Sequence, residues 1–302
     1  MRSIKAVAFS VMLLASANSL LASATTGGKS ENVQTSLRVV TLSPHLAEMV
    51  ERVGGVSSLV GVSAHSDYSK NTQSKTVVSD ARSIDFERLR QLNPHIVLVW
   101  SGGTPAQLIS KIRTTLPQAR IFEFAPKKLD DIEKDLIKIG EVLNLQQSGL
   151  TAARSYTQEL QDILGTSSKH SKTTVKVFYQ VWPQPLMTIN HEQMIHDVIE
   201  RCGGTNIFAK EKLLVPQVTR EVVLAANPDL MIGTQQAGKD MDWSMWRSFE
   251  NLSANRYQAF LSIPGPSISQ PTPSILQGTR QICEAIARVR ELKSQAPKAG
   301  TR

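Results

Sequence analysis

The chain is short of several things, and each shortage excludes a class of protein. Its 302 residues include only 2 cysteines, and these do not stand in C-x-x-C spacing, so a thiol redox pair is excluded. Aromatics are few, with 4 Trp, 4 Tyr and 8 Phe, so each position matters. Beyond the first two dozen residues no apolar run approaches the length of a membrane span. A formal net charge of +8 comes without any run of five or more Lys/Arg and without basic residues interleaved with aromatics. That charge reads as a solvated surface and not as a nucleic-acid face. With 41% hydrophobic and 20% charged residues, the composition is neither that of a disordered chain nor that of a collagen.

Catalytic and metal motifs are also missing. There is no G-x-S-x-G elbow, no phosphate-binding loop and no G-x-G-x-x-G fingerprint. His191 and His196 invite a zinc-protease reading, but they are five apart and would splay by about 140° on a helix. His45, His65, His95 and His170 show no metal-ligand spacing. A secreted hydrolase using His191 or His196 is therefore a remote alternative, because no nucleophile, base and orienting group emerge together. The chain is read as a non-enzyme with no metal and no cofactor of its own.

What is present begins with a leader. Arg2 and Lys5 precede the mostly apolar stretch from Ala6 to Leu21, and Ala22-Ser23-Ala24 is a small-residue cleavage site. Residues 1–24 are expected to be a secretory signal cleaved after about Ala24. No cysteine at that site offers a lipid anchor, so the expected location is a bacterial periplasm. In that compartment Cys202 and Cys283 either form a disulfide or remain two buried thiols. A bridge would close a loop of about 80 residues, worth about 4–5 kcal/mol on a chain-entropy argument.

The remainder alternates between short β-type and helical runs, which predicts an α/β fold with mainly parallel strands. Residues 25–37 read as a flexible N-terminus and 38–127 as one α/β lobe. Residues 128–165 are a long connecting helical segment with a weak point at Gln146-Gln147-Ser148-Gly149, and 166–294 are a second lobe followed by a flexible 295–302 tail. Asp85 is placed to cap a helix through Leu92, and Thr104 to cap the helix that Pro105 opens. The halves echo one another. Asp85-Phe86-Glu87 followed by Asn93-Pro94 and an apolar strand matches Thr219-Arg220-Glu221 followed by Asn227-Pro228 and another. Upstream, Glu51-Arg52-Val53-Gly54-Gly55 matches Glu200-Arg201-Cys202-Gly203-Gly204. The expected architecture is two Rossmann-like lobes joined by a long connecting helix, with a ligand cleft between them.

Two features then stand out. Glu87 and Glu221 occupy matching first helical turns, either as charges that suit a helix start or as paired docking points for a symmetric partner. Trp100, followed by Ser101-Gly102-Gly103, and Trp182, beside Pro183 and Pro185, lie at strand ends, where open α/β sheets bind ligands. Either they grip a large, flat, partly apolar ligand or they pack at the rim between lobes.

These residues carry a resemblance. Arg38-Val39-Val40-Thr41-Leu42-Ser43-Pro44, Gly61-Val62-Ser63-Ala64-His65-Ser66-Asp67-Tyr68, Phe86-Glu87-Arg88 and Trp100-Ser101-Gly102-Gly103 resemble the vitamin B12-binding proteins of bacterial ABC importers. Val198 through Phe208, Pro216 through Glu221, and the run from Pro273 through Cys283 resemble them too. The wider family of helix-hinged binding proteins also carries haem and ferric siderophores.

The resemblance implies a monomeric carrier that delivers cobalamin to an ABC permease dimer, with no nucleic-acid partner. It implies a Cys202–Cys283 disulfide and contacts between Glu87 and Glu221 and arginines of the permease. It also implies a ligand site of Ser43, Pro44, His65, Trp100, Ser101, Gly102, Trp182, Pro266 and Ser267. His65 falls where the family has a cleft tyrosine. Ala81 and Val215 stand at expected aromatic positions, and the segment from Ser262 to Thr272 has no tryptophan, which Trp182 would compensate. For a haem carrier, His65 or Tyr68 would supply the axial ligand.

Overall fold

A computed structural model describes residues 37–66, 69–166, 173–235 and 238–295. The expected leader, most of the flexible N-terminus, Tyr68, His170 and the tail beyond 295 lie outside the described residues.

In the first lobe, β-branched and leucine-rich runs form five strands, with helices between them. In order they are β1 (Val39–Thr41), α1 (Pro44–Arg52), β2 (Leu59–Ser63), α2 (Lys70–Gln73), β3 (Thr76–Ser79), α3 (Phe86–Gln91), β4 (Ile96–Trp100), α4 (Ala106–Thr115) and β5 (Arg120–Phe124). The strands pair in the order β3-β2-β1-β4-β5, all parallel. Both faces are covered, which is why the central strands are apolar throughout. Val40, Val97 and Val99 pack with Leu89, Ile109 and Ile112 on one face. Val39, Ile96 and Leu98 pack with Leu46, Met49 and Val50 on the other.

The connector differs from a single helix. It is α5 (Leu129–Val142) followed by α6 (Gln146–Thr166), and the break falls just before the expected weak point. Asn144 takes a left-handed φ of 59°, and Leu145 N–H donates to Gly140 O at 2.7 Å, which folds the chain back. The two helices meet at Gly140 and Gly149, where a Cβ on Gly140 would lie 2.7 Å from the Gly149 Cα. Only glycine permits so close an approach.

The second lobe contains β6 (Val175–Gln180), β7 (Trp182–Pro183), β8 (Leu186–Met187), α7 (Met194–Arg201), β9 (Gly204–Asn206), α8 (Arg220–Ala226) and β10 (Leu230–Thr234). It continues with α9 (Ser244–Arg247), α10 (Ser253–Arg256), β11 (Phe260–Ile263), α11 (Pro266–Ser269) and α12 (Ile275–Gln295). Its sheet runs β11-β10-β6-β9, again all parallel, and β7 and β8 form a small antiparallel hairpin. One apolar core joins Leu46 and Val50 of α1 and Leu136 and Ile139 of α5 to Ile199 of α7 and Ile275 and Ile282 of α12. It therefore passes from one lobe into the other. A polar contact crosses as well: buried Glu48, which accepts from Arg52 of its own helix at 3.2 Å, also accepts from the Ser274 hydroxyl at 2.6 Å.

The internal echo is geometric. Asp85 and Thr219 each cap their helix, accepting from Arg88 N–H at 2.9 Å and Val222 N–H at 3.4 Å. Asn93 and Asn227 both turn left-handed at the helix ends, with φ of 40° and 47°. Gly54 and Gly203 stop α1 and α7 with φ of 80° and 79°.

Two local expectations are corrected. Thr104 does not cap α4, which begins one residue later with Pro105 at the cap position. The Thr104 N–H instead closes the preceding turn onto Trp100 O at 2.9 Å. His191 is not helical, because Asn190 Oδ1 accepts from Glu192 N–H at 2.8 Å and holds that stretch as a turn before α7.

Candidate ligand-binding site

In an open parallel sheet, a crevice forms at the carboxyl ends of strands where the strand order reverses. In the first sheet that point lies between β1 and β4, which pair Thr41 with Leu98. The residues that follow are Leu42-Ser43-Pro44 after β1 and Ser101-Gly102-Gly103 after Trp100 of β4. Leu42 N–H donates to Leu98 O at 3.0 Å and keeps the two segments side by side.

Trp100 is 37% exposed although it ends a buried strand. Its indole lies over Gly102 and Gly103. A Cβ on Gly102 would stand 2.7 Å from the ring Nε1, and one on Gly103 only 2.2 Å from Cζ3. The glycines thus form a cradle that other residues would fill. The turn beneath is pinned by Gly103 and Thr104 N–H groups on Trp100 O. Ser101 is directed away from solvent: its N–H and hydroxyl both donate to Phe124 O, at 3.0 and 3.4 Å.

Sequence reasoning weighed His45 only as a metal ligand and gave it no place in the ligand site. Its ring meets Trp100 edge to face, with centroids 5.3 Å apart and planes at 88°. Burial pushes its imidazole down to about 4, so it is neutral near pH 7. Its Nε2, Ser43 Oγ and Thr41 Oγ1 are buried without partners among the described residues. Ser43 stands at the cap of α1 yet makes no capping bond. The only signal in the sequence was a histidine directly after Ser-Pro at a strand end.

His65 is exposed in the turn after β2, with a left-handed φ of 62°. In the second lobe the corresponding reversal lies between β6 and β10. Trp182 is 48% exposed on the hairpin that follows β6 and pairs with Met187. Tyr179 belongs to the core: its hydroxyl pairs with Thr234 Oγ1 at 2.6 Å, and burial pushes it up to about 12. Pro266 is exposed at the start of α11. Ser267 is buried, and its hydroxyl donates to Gln277 Oε1 at 2.9 Å.

The structure brings Ser43, Pro44, Trp100, Ser101 and Gly102 to one sheet end. It sets Trp182, Pro266 and Ser267 beyond the carboxyl ends of the other sheet. Glu87 and Glu221 are each the second residue of α3 and α8, and both are exposed. The Glu221 carboxyl is held below its usual range by its own backbone N–H and the Thr219 hydroxyl. Cys202 and Cys283 are bonded, with Cα atoms 4.7 Å apart, and tie α7 to α12 within the second lobe. Arg290 reinforces the same junction, donating to Gly203 O at 2.9 Å. Among the described residues, no helix is long and apolar enough to cross a membrane.

Comparison with known proteins gives this geometry a context. The chain is 29% identical over 249 residues to the vitamin B12-binding protein of Vibrio parahaemolyticus, covering 82% of this chain and 88% of the relative. It is 31% identical over 206 residues to the protein of that name from Yersinia pestis, covering 67% and 71%. The crystal structure of the periplasmic vitamin B12-binding protein BtuF of Vibrio cholerae superposes with a TM-score of 0.75 at 26% identity, over 86% of this chain and 98% of that one. The haem-binding protein RhuT from Roseiflexus sp. RS-1 shares the fold, with a TM-score of 0.71 at 18% identity over 84% and 99%. Residues 39–251 match the family described as periplasmic binding protein, and the chain, with its two parallel-sheet lobes, belongs to this family.

Proposed function

We propose that this chain is a periplasmic carrier that captures cobalamin and delivers it to an ABC permease dimer in the inner membrane. The observation that carries this reading is the half-exposed indole of Trp100, set on its two-glycine cradle at the switch point of the first sheet. A broad, rigid apolar wall suits a large flat ring. Trp182 gives the second lobe an exposed aromatic beyond its own strand ends. The ring would lie in a cleft between lobes, with Pro44, His65 and Pro266 at its margins and the hydroxyl groups near Ser43 meeting its amide chains. The names of the relatives point to the same ligand. The chain would act as a monomer without covalent chemistry, after removal of a leader at about Ala24. Glu87 and Glu221, at matching places in the two lobes, would meet basic residues on the two permease subunits.

Calorimetric titration of the purified protein with cyanocobalamin tests this. Saturable heat and a co-purifying red chromophore are expected; their absence would overturn the reading. A second reading, haem, draws on exposed His65 as an axial ligand. A Soret shift with haemin that is lost in His65→Ala would favour it.

A further inference from the structure

Beside Trp100 the first lobe has a recess of about 170 Å³, well above what one water needs. Its walls include Ser79 at the end of β3, the turn Asp80-Ala81-Arg82-Ser83, and Gly103 and Pro105 at the start of α4. Gly103 also underlies the indole, so the recess adjoins the proposed ring site.

The walls are chemically unlike one another. Asp80 Oδ1 accepts from the N–H groups of Arg82 and Ser83, each at 2.7 Å, and from the Ser83 hydroxyl at 3.2 Å. This fixes the turn and leaves Oδ2 without a partner among the described residues. Those backbone N–H groups hold the Asp80 carboxyl below its usual range, so it is ionised. Opposite, Pro105 at the cap of the ten-residue α4 supplies no side-chain acceptor, and the positive end of that helix faces the recess region uncapped. Ser79 is 7% exposed, lines the recess, and its hydroxyl has no partner among the described residues. Ala81 is too small to fill the space. Arg82 at the rim offsets the Asp80 charge, so the site favours neither a net anion nor a net cation. An acceptor wall, a donor wall and near-neutral balance describe a receptor for a primary amide.

We propose that this recess holds one peripheral carboxamide chain of a corrin ring lying against Trp100. Its carbonyl oxygen faces the Ser79 hydroxyl and the start of α4, and its NH2 donates to Asp80 Oδ2. The inference rests on the cobalamin reading and adds what that reading lacks, a means of distinguishing an amide-fringed ring from one fringed with carboxylates.

Titration of the wild-type protein with cobalamin and with its monocarboxylic acids, each having one ring amide hydrolysed, is the test. One acid isomer is expected to bind about tenfold or more weakly than cobalamin, because its carboxylate would face Asp80 Oδ2. In Asp80→Asn the turn keeps its Oδ1 acceptor while Oδ2 becomes a donor, so that isomer's deficit should shrink or reverse. Cobalamin binding with equal affinity for every acid isomer would overturn the subsite alone. So would an unchanged ratio in Asp80→Asn. Absence of cobalamin binding by the wild type would overturn the ligand reading and this inference with it.

Discussion

Replacing Gly103 by alanine isolates the indole wall. Gly103 does not have a left-handed φ, so alanine meets no backbone penalty there. The entire cost falls on Trp100, because the new Cβ would stand 2.2, 2.4 and 2.9 Å from three atoms of its six-membered ring. Those distances are far inside van der Waals contact, so the ring must swing away. Aromatic side chains bury about 150–250 Å² when packed, and roughly 100 Å² of contact on the cradle at about 25 cal/mol/Å² amounts to about 2.5 kcal/mol. Partial retention of that contact brings the expected loss of stability to about 1–2 kcal/mol, or a few degrees in Tm for a chain of this size. Ligand binding should suffer more visibly, since displacing one stacking wall is worth about 1.4 kcal/mol, a tenfold rise in Kd. Calorimetric titration of Gly103→Ala, Trp100→Ala and the double variant is the assay. Both substitutions act through one ring, so their effects should not add. Wild-type affinity in Gly103→Ala, or full additivity in the double variant, would refute the claim that the glycines hold the indole as a preset wall.

Other consequences can be measured independently. Cys202→Ala with Cys283→Ala opens a loop of separation 81, and should cost about 4–5 kcal/mol while leaving ligand affinity unchanged. The bond lies on helices of one lobe, and differential scanning calorimetry on the exported protein would expose a smaller effect. His45 sits folded at about 4 against 6.5 unfolded, so its contribution is present above pH 6.5 and is lost as pH falls towards 4. About 3 kcal/mol is at stake, and His45→Phe should flatten that part of a stability–pH curve. Glu87→Arg with Glu221→Arg should leave cobalamin titration intact and abolish uptake in cells; unaffected uptake would reduce the two carboxylates to helix-start charges. Exposed pairs are each worth only about 0–1 kcal/mol, so the loss is expected from misdirected encounter and register.

Much of this fold was legible in the residues. The apolar run Ile96–Trp100 reads as a buried strand, and the helix Arg220–Ala226 could be read from the Glu221 and Asn227-Pro228 that echo Glu87 and Asn93-Pro94. The paired Asn-Pro and Gly-Gly signals marked left-handed stops in both lobes, because few residues other than glycine and asparagine tolerate that conformation. Elements decided by tertiary pairing were not legible. Strand β9, Gly204–Asn206, has no intrinsic strand preference and forms because β6 offers it a partner. The α5–α6 hairpin needed two glycines, nine positions apart, to find each other. At the site, Trp100 and its glycines stood out as adjacent residues, whereas His45 and the Ser79–Pro105 recess are assembled from separate strand ends.

The core shared by the two lobes bears on how cargo leaves. A carrier whose halves met only at a flexible strap could release its load by gaping. Here Leu46, Ile139, Ile199 and Ile275 belong to one continuous interior. Prising it apart would wet apolar surface at about 2.5 kcal/mol for every 100 Å², a load that soon rivals the whole binding energy of a small molecule. Unloading is therefore expected to be local. A partner pressing on the turns above the strand ends can distort the 80–83 and 101–104 segments while the interior stays dry. Residence time then becomes a property of those few turns, and sequence change there can retune delivery without touching the scaffold beneath.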